Sequence, residues 1–432
     1  MPSPRRRPVA RLRSAGRLVR TFLLIALLAM SAVAPAVANA ADPPTEGIDV
    51  SHWQGEIDWS RVAAADKAFA FMKASEDHDY TDPTYGLNRA RARAAGLLIG
   101  AYHFAQPSGA AGDAIAEADH FLATANIAEG DLPPVLDLEQ SNGLSQTALH
   151  TWVRTYLERI HDRTGVRGVI YTSPNFWSRY VGSSEWFAAN GYRLLWVAHW
   201  TTASSPTVPA ADWGGFGWTF WQYTSSGTVA GITGRVDLDR FAGTDLGSVL
   251  IEPTAGGSAV IPKPPFTDIG SSKFAKHIAW LYAEGITSGC SKTKFCPDGK
   301  VTRGQMAAFL ARALHLPKTS KDYFDDDDGT SHEADINRLA KAGLTSGCGT
   351  RRYCPGKTVS RAQMASFLAK VLDLSKSPKD YFRDDERTGH EPNINKIARA
   401  GLTSGCAPKR YCPSGVVTRG QMAAFLYRTF GY

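Results

Sequence analysis

Cysteine is missing from the first 289 residues of this 432-residue chain; all six cysteines lie between Cys290 and Cys412. Disulfides or thiolate-bound zinc are therefore confined to the last third. Acidic residues are missing from the first 40 positions, which carry seven arginines (Arg5, Arg6, Arg7, Arg11, Arg13, Arg17, Arg20). That imbalance accounts for the whole formal charge of +7, because 48 basic residues less these seven leaves 41, against 41 acidic ones. The rest of the chain is neutral, so a pI near 9.0 gives no support for a nucleic-acid partner. No ATP, nicotinamide or metal-ligand signature is present, and no cofactor is expected.

What is there is ordinary globular composition: 43% hydrophobic, 21% charged, 10% aromatic, with mean hydropathy −0.23. This excludes a disordered, collagen-like or multi-span membrane chain and leaves room for several domains. The Arg-rich start runs into an apolar stretch, Phe22 to Met30, then Pro35 and the small-residue site Ala38-Asn39-Ala40. These are the three parts of a secretory signal peptide over 1–40, with cleavage expected after Ala40. The apolar run is shorter than the roughly 20 residues that a membrane-spanning helix needs, which disfavours an uncleaved anchor. The mature protein is expected outside the cell and free of the membrane, where disulfides are permitted.

The last third repeats with a period of 58: Phe266, Phe324 and Phe382; Gly289, Gly347 and Gly405; Arg303, Arg361 and Arg419; Met306, Met364 and Met422. Three units follow, 266–323, 324–381 and 382–432, each with two short apolar-faced helices that must pack on their neighbours. The cysteines fall as Cys290/Cys296, Cys348/Cys354 and Cys406/Cys412. One local spacing repeated three times favours three disulfides closed within their own repeats, each contributing at most roughly 2 kcal/mol. Zinc is the alternative, but no histidine stands at ligand spacing beside the pairs. A Gly-, Ser- and Pro-rich stretch over 244–265 reads as a linker.

Within 42–243, eight short apolar strands are expected near 47–51, 68–74, 97–104, 134–139, 168–172, 193–199, 217–223 and 236–241. Helices follow the first five, for instance Pro83 to Ala95 and Gln146 to Arg163, and none is legible after that. The fold class is α/β: an incomplete TIM-like (β/α)5(β)3 barrel, followed by a mainly α-helical three-repeat domain.

Strand alternation then places the acids. In Val135-Leu136-Asp137-Leu138-Glu139 the leucines point one way and both acids the other. Asp49 in Gly47 to Ser51 and Asp237 in Val236 to Asp239 follow the same logic, while Asp239 is expected beyond the rim. Any one of these acids could sit in an ion pair with Lys73, Arg235 or Arg240. Four converging on one barrel mouth instead keep some carboxyls protonated, which is the condition acid catalysis needs. Ten of the eleven tryptophans precede Gly243, and Trp53, Trp200, Trp213 and Trp221 are candidates to stack on sugar rings. Paired acids with aromatics point to glycoside hydrolysis. Two strand residues at i and i+2 have Cα atoms about 6.6 Å apart. That lies between the carboxyl separations of roughly 5–5.5 Å for retaining and roughly 6.5–9.5 Å for inverting enzymes, so spacing leaves the stereochemistry open.

At these residues the first domain resembles the glycoside hydrolase family 25 lysozymes. The matching segments are Gly47-Ile-Asp-Val-Ser-His-Trp-Gln54, Phe71-Met-Lys-Ala-Ser75, Gly100-Ala-Tyr-His-Phe104, Asp137-Leu-Glu139, Leu195-Trp-Val-Ala-His-Trp200, Trp221-Gln-Tyr223 and Val236-Asp237-Leu-Asp. The resemblance implies hydrolysis of the β-1,4 bond between N-acetylmuramic acid and N-acetylglucosamine in peptidoglycan. By position it makes Glu139 the general acid/base, Asp137 its neighbour, and Asp49 and Asp237 further catalytic-site acids. Lys73, Tyr102, His103, Tyr171, His199, Trp200 and Gln222 would line the substrate pocket. A non-catalytic wall-binding protein and a chitinase-like hydrolase are the other readings.

The repeats resemble S-layer homology domains through Phe-Thr-Asp, the Gly-Ile-Thr-x-Gly turn, Phe-x-Pro and Val-Thr-Arg. That resemblance implies anchoring to an anionic secondary cell-wall polymer, with three repeats forming one pseudo-threefold unit. Thr302 to Gln305, Ser360 to Gln363 and Thr418 to Gln421 are each also a helix capping box, so their recurrence has a purely structural explanation. Arg303, Arg361 and Arg419 fall outside that explanation and are candidates to bind a carboxylate or phosphate.

Overall fold

The computed structural model describes residues 45–252 and 263–431. The proposed leader, 1–40, and the middle of the linker lie outside the described residues. Nine strands form one sheet: β1 (Thr45–Val50), β2 (Phe69–Glu76), β3 (Tyr80–Thr81), β4 (Leu98–Phe104), β5 (Val135–Asp137), β6 (Val169–Thr172), β7 (Leu195–Ala198), β8 (Phe220–Gly227) and β9 (Val236–Phe241). The order β1-β9-β8-β7-β6-β5-β4-β2-β3, with β1 also paired to β2, closes eight strands into a barrel and leaves β3 as a short addition. The pairings from β1 through β2 and β4 to β8 are parallel, whereas β9 runs antiparallel to both β8 and β1. Helices α1 (Trp59–Ala63), α2 (Tyr85–Ala94), α3 (Asp113–Ala125) and α4 (Gln146–Thr164) follow the first four parallel strands.

The period of two along each strand sorts the residues into two cores. Phe69, Phe71, Val135, Val169, Trp196, Phe220 and Phe241 pack together inside the barrel. Ile48, Val50, Ala70, Met72, Leu136, Leu138 and Ile170 pack outward with the helices. Two positions inside the barrel must be glycine. A Cβ on Gly47 would lie 2.4 Å from the Phe69 ring, and one on Gly100 would lie 2.5 Å from Phe71. The barrel interior is thus filled by aromatic rings in its lower part, which leaves polar side chains only at the upper end of the strands.

The eight strand positions agree with the sequence reading, and three details differ. The expected fifth helix is broken into turns at Pro174–Phe176, Trp177–Val181 and Trp186–Ala189. Pro209–Gly215 forms a tight coil in which Ala210 to Gly214 all take positive φ, a left-handed conformation that no hydrophobic period announces. The barrel continues past Gly243: Leu246 is buried, and Ile251 exchanges backbone hydrogen bonds with Gly130 and Asp131 at 2.9 Å each.

The repeats supply α5 (Ala275–Ala283), α6 (Arg303–Ala313), α7 (Glu333–Lys341), α8 (Arg361–Val371), α9 (Glu391–Arg399) and α10 (Arg419–Phe430). Each packs across a repeat boundary, α6 on α7, α8 on α9 and α10 on α5, so the three copies close into a ring. Val301, Val359 and Val417 complete it at the centre. Val301 donates to Val417 at 2.9 Å, Val417 to Val359 at 2.9 Å, and Val359 to Val301 at 3.0 Å. All three capping boxes are formed in both directions. The cysteines pair within repeats, Cys290 with Cys296, Cys348 with Cys354 and Cys406 with Cys412. The ring also rests on the barrel, where Arg91 Nε donates to the Val371 carbonyl at 3.1 Å and Asn126 meets His315 at 3.1 Å.

Candidate functional site

The open end of the barrel collects the acids. Asp49 ends β1 and pairs in register with Asp237 on β9, while Asp137 pairs with Tyr171 and Phe104 on its two sides. Asp49 and Asp137 are 6% exposed, and Glu139, two residues beyond Asp137, reaches the solvent-accessible rim. Lys73 pairs with Glu76 at 2.5 Å and Arg240 with Glu46 at 3.1 Å, so neither neutralises the four acids. Asp239 corrects the sequence reading. Because β9 runs downward, Asp239 lies deeper than Asp237 instead of past the rim. It is fully buried opposite Gly47 and Gln222 and accepts the Trp196 indole N–H at 2.9 Å.

Crowding of acids in a poorly solvated basin disfavours their ionisation. Burial, then Asp239 and Asp237, hold the Asp49 carboxyl well above the usual range. Asp239 is raised mainly by burial and also by Asp237, against the pull of the Trp196 hydrogen bond. Asp137 is raised by burial and then by Glu139, with Lys73 opposing. Asp237 is pushed up to about 6 by burial and by Glu139. Glu139 is raised by the protein walls around it, although the Tyr171 hydroxyl and Lys73 favour its charged form. Burial and mutual repulsion thus favour the protonated form of these carboxyls and set several of them side by side, the equipment for general acid catalysis.

A cleft of about 460 Å³ opens from Glu139 and Tyr171 towards Asn175, Phe176, His199 and Trp200. Gln222 joins its walls: its Oε1 accepts from the Tyr171 hydroxyl and the Trp200 indole, both at 3.1 Å, and its Nε2 donates to Asp49 at 2.8 Å. Lys73 and Tyr102 face the basin from β2 and β4, each 9% exposed. Trp53 and Trp200 are open to solvent, at 82% and 62%. Asn175 and Phe176 were not singled out from sequence; their one signal is their position directly after β6, where barrels build their sites.

His103, expected in the pocket, is not there. It alternates with Tyr102 on β4 and so points outward beneath α3 and α4, with no exposure. Its ring accepts or donates at both nitrogens, to Ser75 Oγ at 2.9 Å and Glu117 Oε2 at 2.7 Å, and stacks on Tyr156. Burial holds His103 down to about 3 and pushes Glu117 up to about 8. Trp213 and Trp221 are likewise core residues, 0% and 1% exposed, rather than sugar platforms.

The repeat arginines are also corrected. Arg303, Arg361 and Arg419 are each 7% exposed. Their Nε atoms donate to the carbonyls of Tyr353 and Tyr411 at 2.7 and 2.8 Å and of Phe295 at 2.7 Å, and each guanidinium covers the ring of that residue. They clamp one repeat to the next. Only Nη2 of each is left buried without a partner.

Comparison with known proteins follows these boundaries. The family model for glycosyl hydrolases family 25 matches residues 48–232, and that for the S-layer homology domain matches 265–307, 323–365 and 382–423. Lysozyme M1 of Streptomyces globisporus is 42% identical over 209 residues, covering 46% of this chain and 68% of the relative. The N,O-diacetylmuramidase of Chalaropsis sp. is 32% identical over 212 residues, covering 44% and 95%. The solved structure of a bacterial lysozyme from Streptomyces coelicolor shares 39% identity, covers 48% of this chain and 96% of its own, and superposes with a TM-score of 0.44. The chain belongs to glycosyl hydrolases family 25: it is a glycoside hydrolase whose barrel is followed by three S-layer homology repeats.

Proposed function

We propose that this enzyme is a secreted muramidase, which cuts the β-1,4 bond between N-acetylmuramic acid and N-acetylglucosamine while its repeats hold it to the cell wall. The observation that carries the reading is the acid basin, open on a cleft of about 460 Å³ and rich in carboxyls whose burial raises their pKa. Glu139, at the rim and raised in pKa, protonates the leaving oxygen. Asp137, whose Oδ1 is buried without a partner, orients and polarises the substrate's own N-acetyl group, so that the acetamide oxygen attacks the reacting carbon. Glu139 then draws a proton from the incoming water. Asp237, pushed up only to about 6, supplies negative charge for the oxocarbenium-like transition state, and Asp49 holds Gln222 in place beside it. Tyr171, His199, Trp200 and Gln222 position the sugars. Lysozyme M1 and N,O-diacetylmuramidase carry these activities in their names, which supports the assignment.

The wall ligand we assign is an anionic secondary polymer. Its support is the match of all three repeats to the S-layer homology domain. We divide the chain into a leader over 1–40, a barrel over 42–243 whose packed tail extends into the linker 244–265, and three repeats. Digestion of defined peptidoglycan with mass spectrometry of the products tests the assignment. Muropeptides with muramic-acid reducing ends are expected, and Glu139→Gln should lower their release by roughly 10²–10⁴-fold while wall binding persists. Reducing ends of N-acetylglucosamine alone would favour a chitinase-like enzyme, and inversion of the first-formed anomer by NMR would exclude the acetamide route.

A further inference from the structure

The loop leading into α7 holds a cluster of acids outside the catalytic basin; of these, Asp322 accepts at Oδ1 from the Phe324 N–H at 3.4 Å and from Asn337 Nδ2 at 3.3 Å. Carboxylate oxygens of Asp322, Asp327 and Asp328 lie within 4.8 Å of one another. Asp322 and Asp328 face solvent, but Asp327 has no exposure, and neither of its side-chain oxygens has a hydrogen-bond donor. Thr330 Oγ1 is buried nearby, also without a partner. The adjacent cation, Arg351, is held by Asp325 at 2.8 Å. The equivalent position in the first repeat, 58 residues earlier, is Ile269, a buried apolar side chain. The fold at this point accepts a hydrocarbon, so the acid is there for a reason other than packing. In the third repeat Asp385 is likewise fully buried with both oxygens unpartnered, and Asp380 and Glu386 stand at the positions equivalent to Asp322 and Asp328. The first repeat has Pro264, Ile269 and Gly270 at these positions.

A buried carboxylate without donors is answered either by a proton or by a cation. Asp322 and Asp328, whose oxygens converge with those of Asp327, offer further hard donors to a cation in that place. We propose that Asp322, Asp327 and Asp328 form a Ca²⁺ site in the second repeat, with water completing the shell. All donors are hard oxygens, and two of the three ligands are at the surface, which suits a cation of flexible, high coordination number. Binding there fixes the loop to the N-terminus of α7 and cancels charge on an otherwise acidic edge of the wall-binding ring. The sequence reading found no metal signature because Asp322 stands five residues from Asp327, a spacing that belongs to no familiar loop motif.

Full-length protein stripped with chelator and titrated calorimetrically with CaCl₂ tests the site. Wild type should bind Ca²⁺ and unfold at higher temperature with it. Asp327→Ile, which copies the first repeat, should lose one bound equivalent; its melting temperature without Ca²⁺ should not fall. Asp328→Asn, at an exposed position where folding is not at stake, should weaken the same equivalent by roughly tenfold or more. Absence of binding by wild type at millimolar CaCl₂, or an unchanged number of equivalents in Asp327→Ile, would overturn the proposal. If Asp327→Ile does not fold, unchanged affinity in Asp328→Asn would overturn it equally. None of these readouts depends on the enzyme's substrate.

Discussion

Gln222 donates its amide Nε2 to Asp49 Oδ2 at 2.8 Å, joining β8 to β1 across 173 residues of sequence. The direction of that bond is fixed chemically. The Trp200 indole can only donate, so the Gln222 oxygen must face Trp200 and the nitrogen must face Asp49. One amide thereby ties Asp49 to the cleft wall where substrate would lie, and it makes Tyr171, which donates to the same oxygen, part of both.

The single proton of the Tyr171 hydroxyl is shared between Gln222 Oε1 and Glu139, and its donation to Glu139 favours the charged carboxylate. Tyr171→Phe should therefore raise the Glu139 pKa further. If Glu139 acts as the acid, activity is lost as pH rises through that pKa, so the alkaline limb of kcat against pH should move to higher pH in the variant. A limb moving to lower pH, in a profile measured on soluble peptidoglycan fragments, would contradict the role given to Glu139.

His103 provides a stability test of its corrected position. His103→Leu leaves the buried Glu117 with only the Gln106 N–H as partner and should cost about 2–3 kcal/mol in denaturant unfolding. Activity per folded molecule should stay near wild type, because the ring lies behind the barrel wall. A large KM effect without loss of stability would return His103 to the pocket.

Arg361→Ala removes the donor to the Tyr411 carbonyl and the cover over its ring. A loss of about 2–3 kcal/mol is expected. Thermal unfolding followed by far-UV circular dichroism should show the repeats melting earlier, while hydrolysis of soluble fragments is retained and retention on cell walls falls.

Trp53 stands 82% exposed beside His52, whose ring is 4.7 Å from it and whose Nδ1 is held by Asp82 at 2.9 Å. A large, rigid apolar face kept in water at the mouth suits a sugar ring. Trp53→Ala should raise KM for glycan chains by roughly 3–10-fold, on the order of an aromatic stacking contribution, with little change in kcat. An equal fall in kcat and kcat/KM would place its effect on the transition state instead.

Much of this site was legible in the sequence because strand alternation is a local rule. Asp137 with Glu139, and Asp49 between Ile48 and Val50, declare their face from neighbours alone. The same rule, applied at Tyr102-His103, would have sent His103 outward; the aromatic and histidine chemistry of the segment obscured it. Asp239 failed for a different reason. Its depth depends on the direction of β9, and direction is set by which strands close the barrel, a property no segment carries by itself.

The repeat period, the capping boxes and the cysteine pairing were likewise set by the sequence, since each involves residues close together along the chain. Tertiary structure alone decided that Arg303, Arg361 and Arg419 reach into neighbouring repeats, that Trp213 and Trp221 are core, and that Asp327 is sealed from water beside Asp322 and Asp328. Burial and partnership are sums over distant segments. A side chain's chemistry is written at its own position, but the dielectric around it and the groups that answer its charge arrive only when the ring and the barrel close.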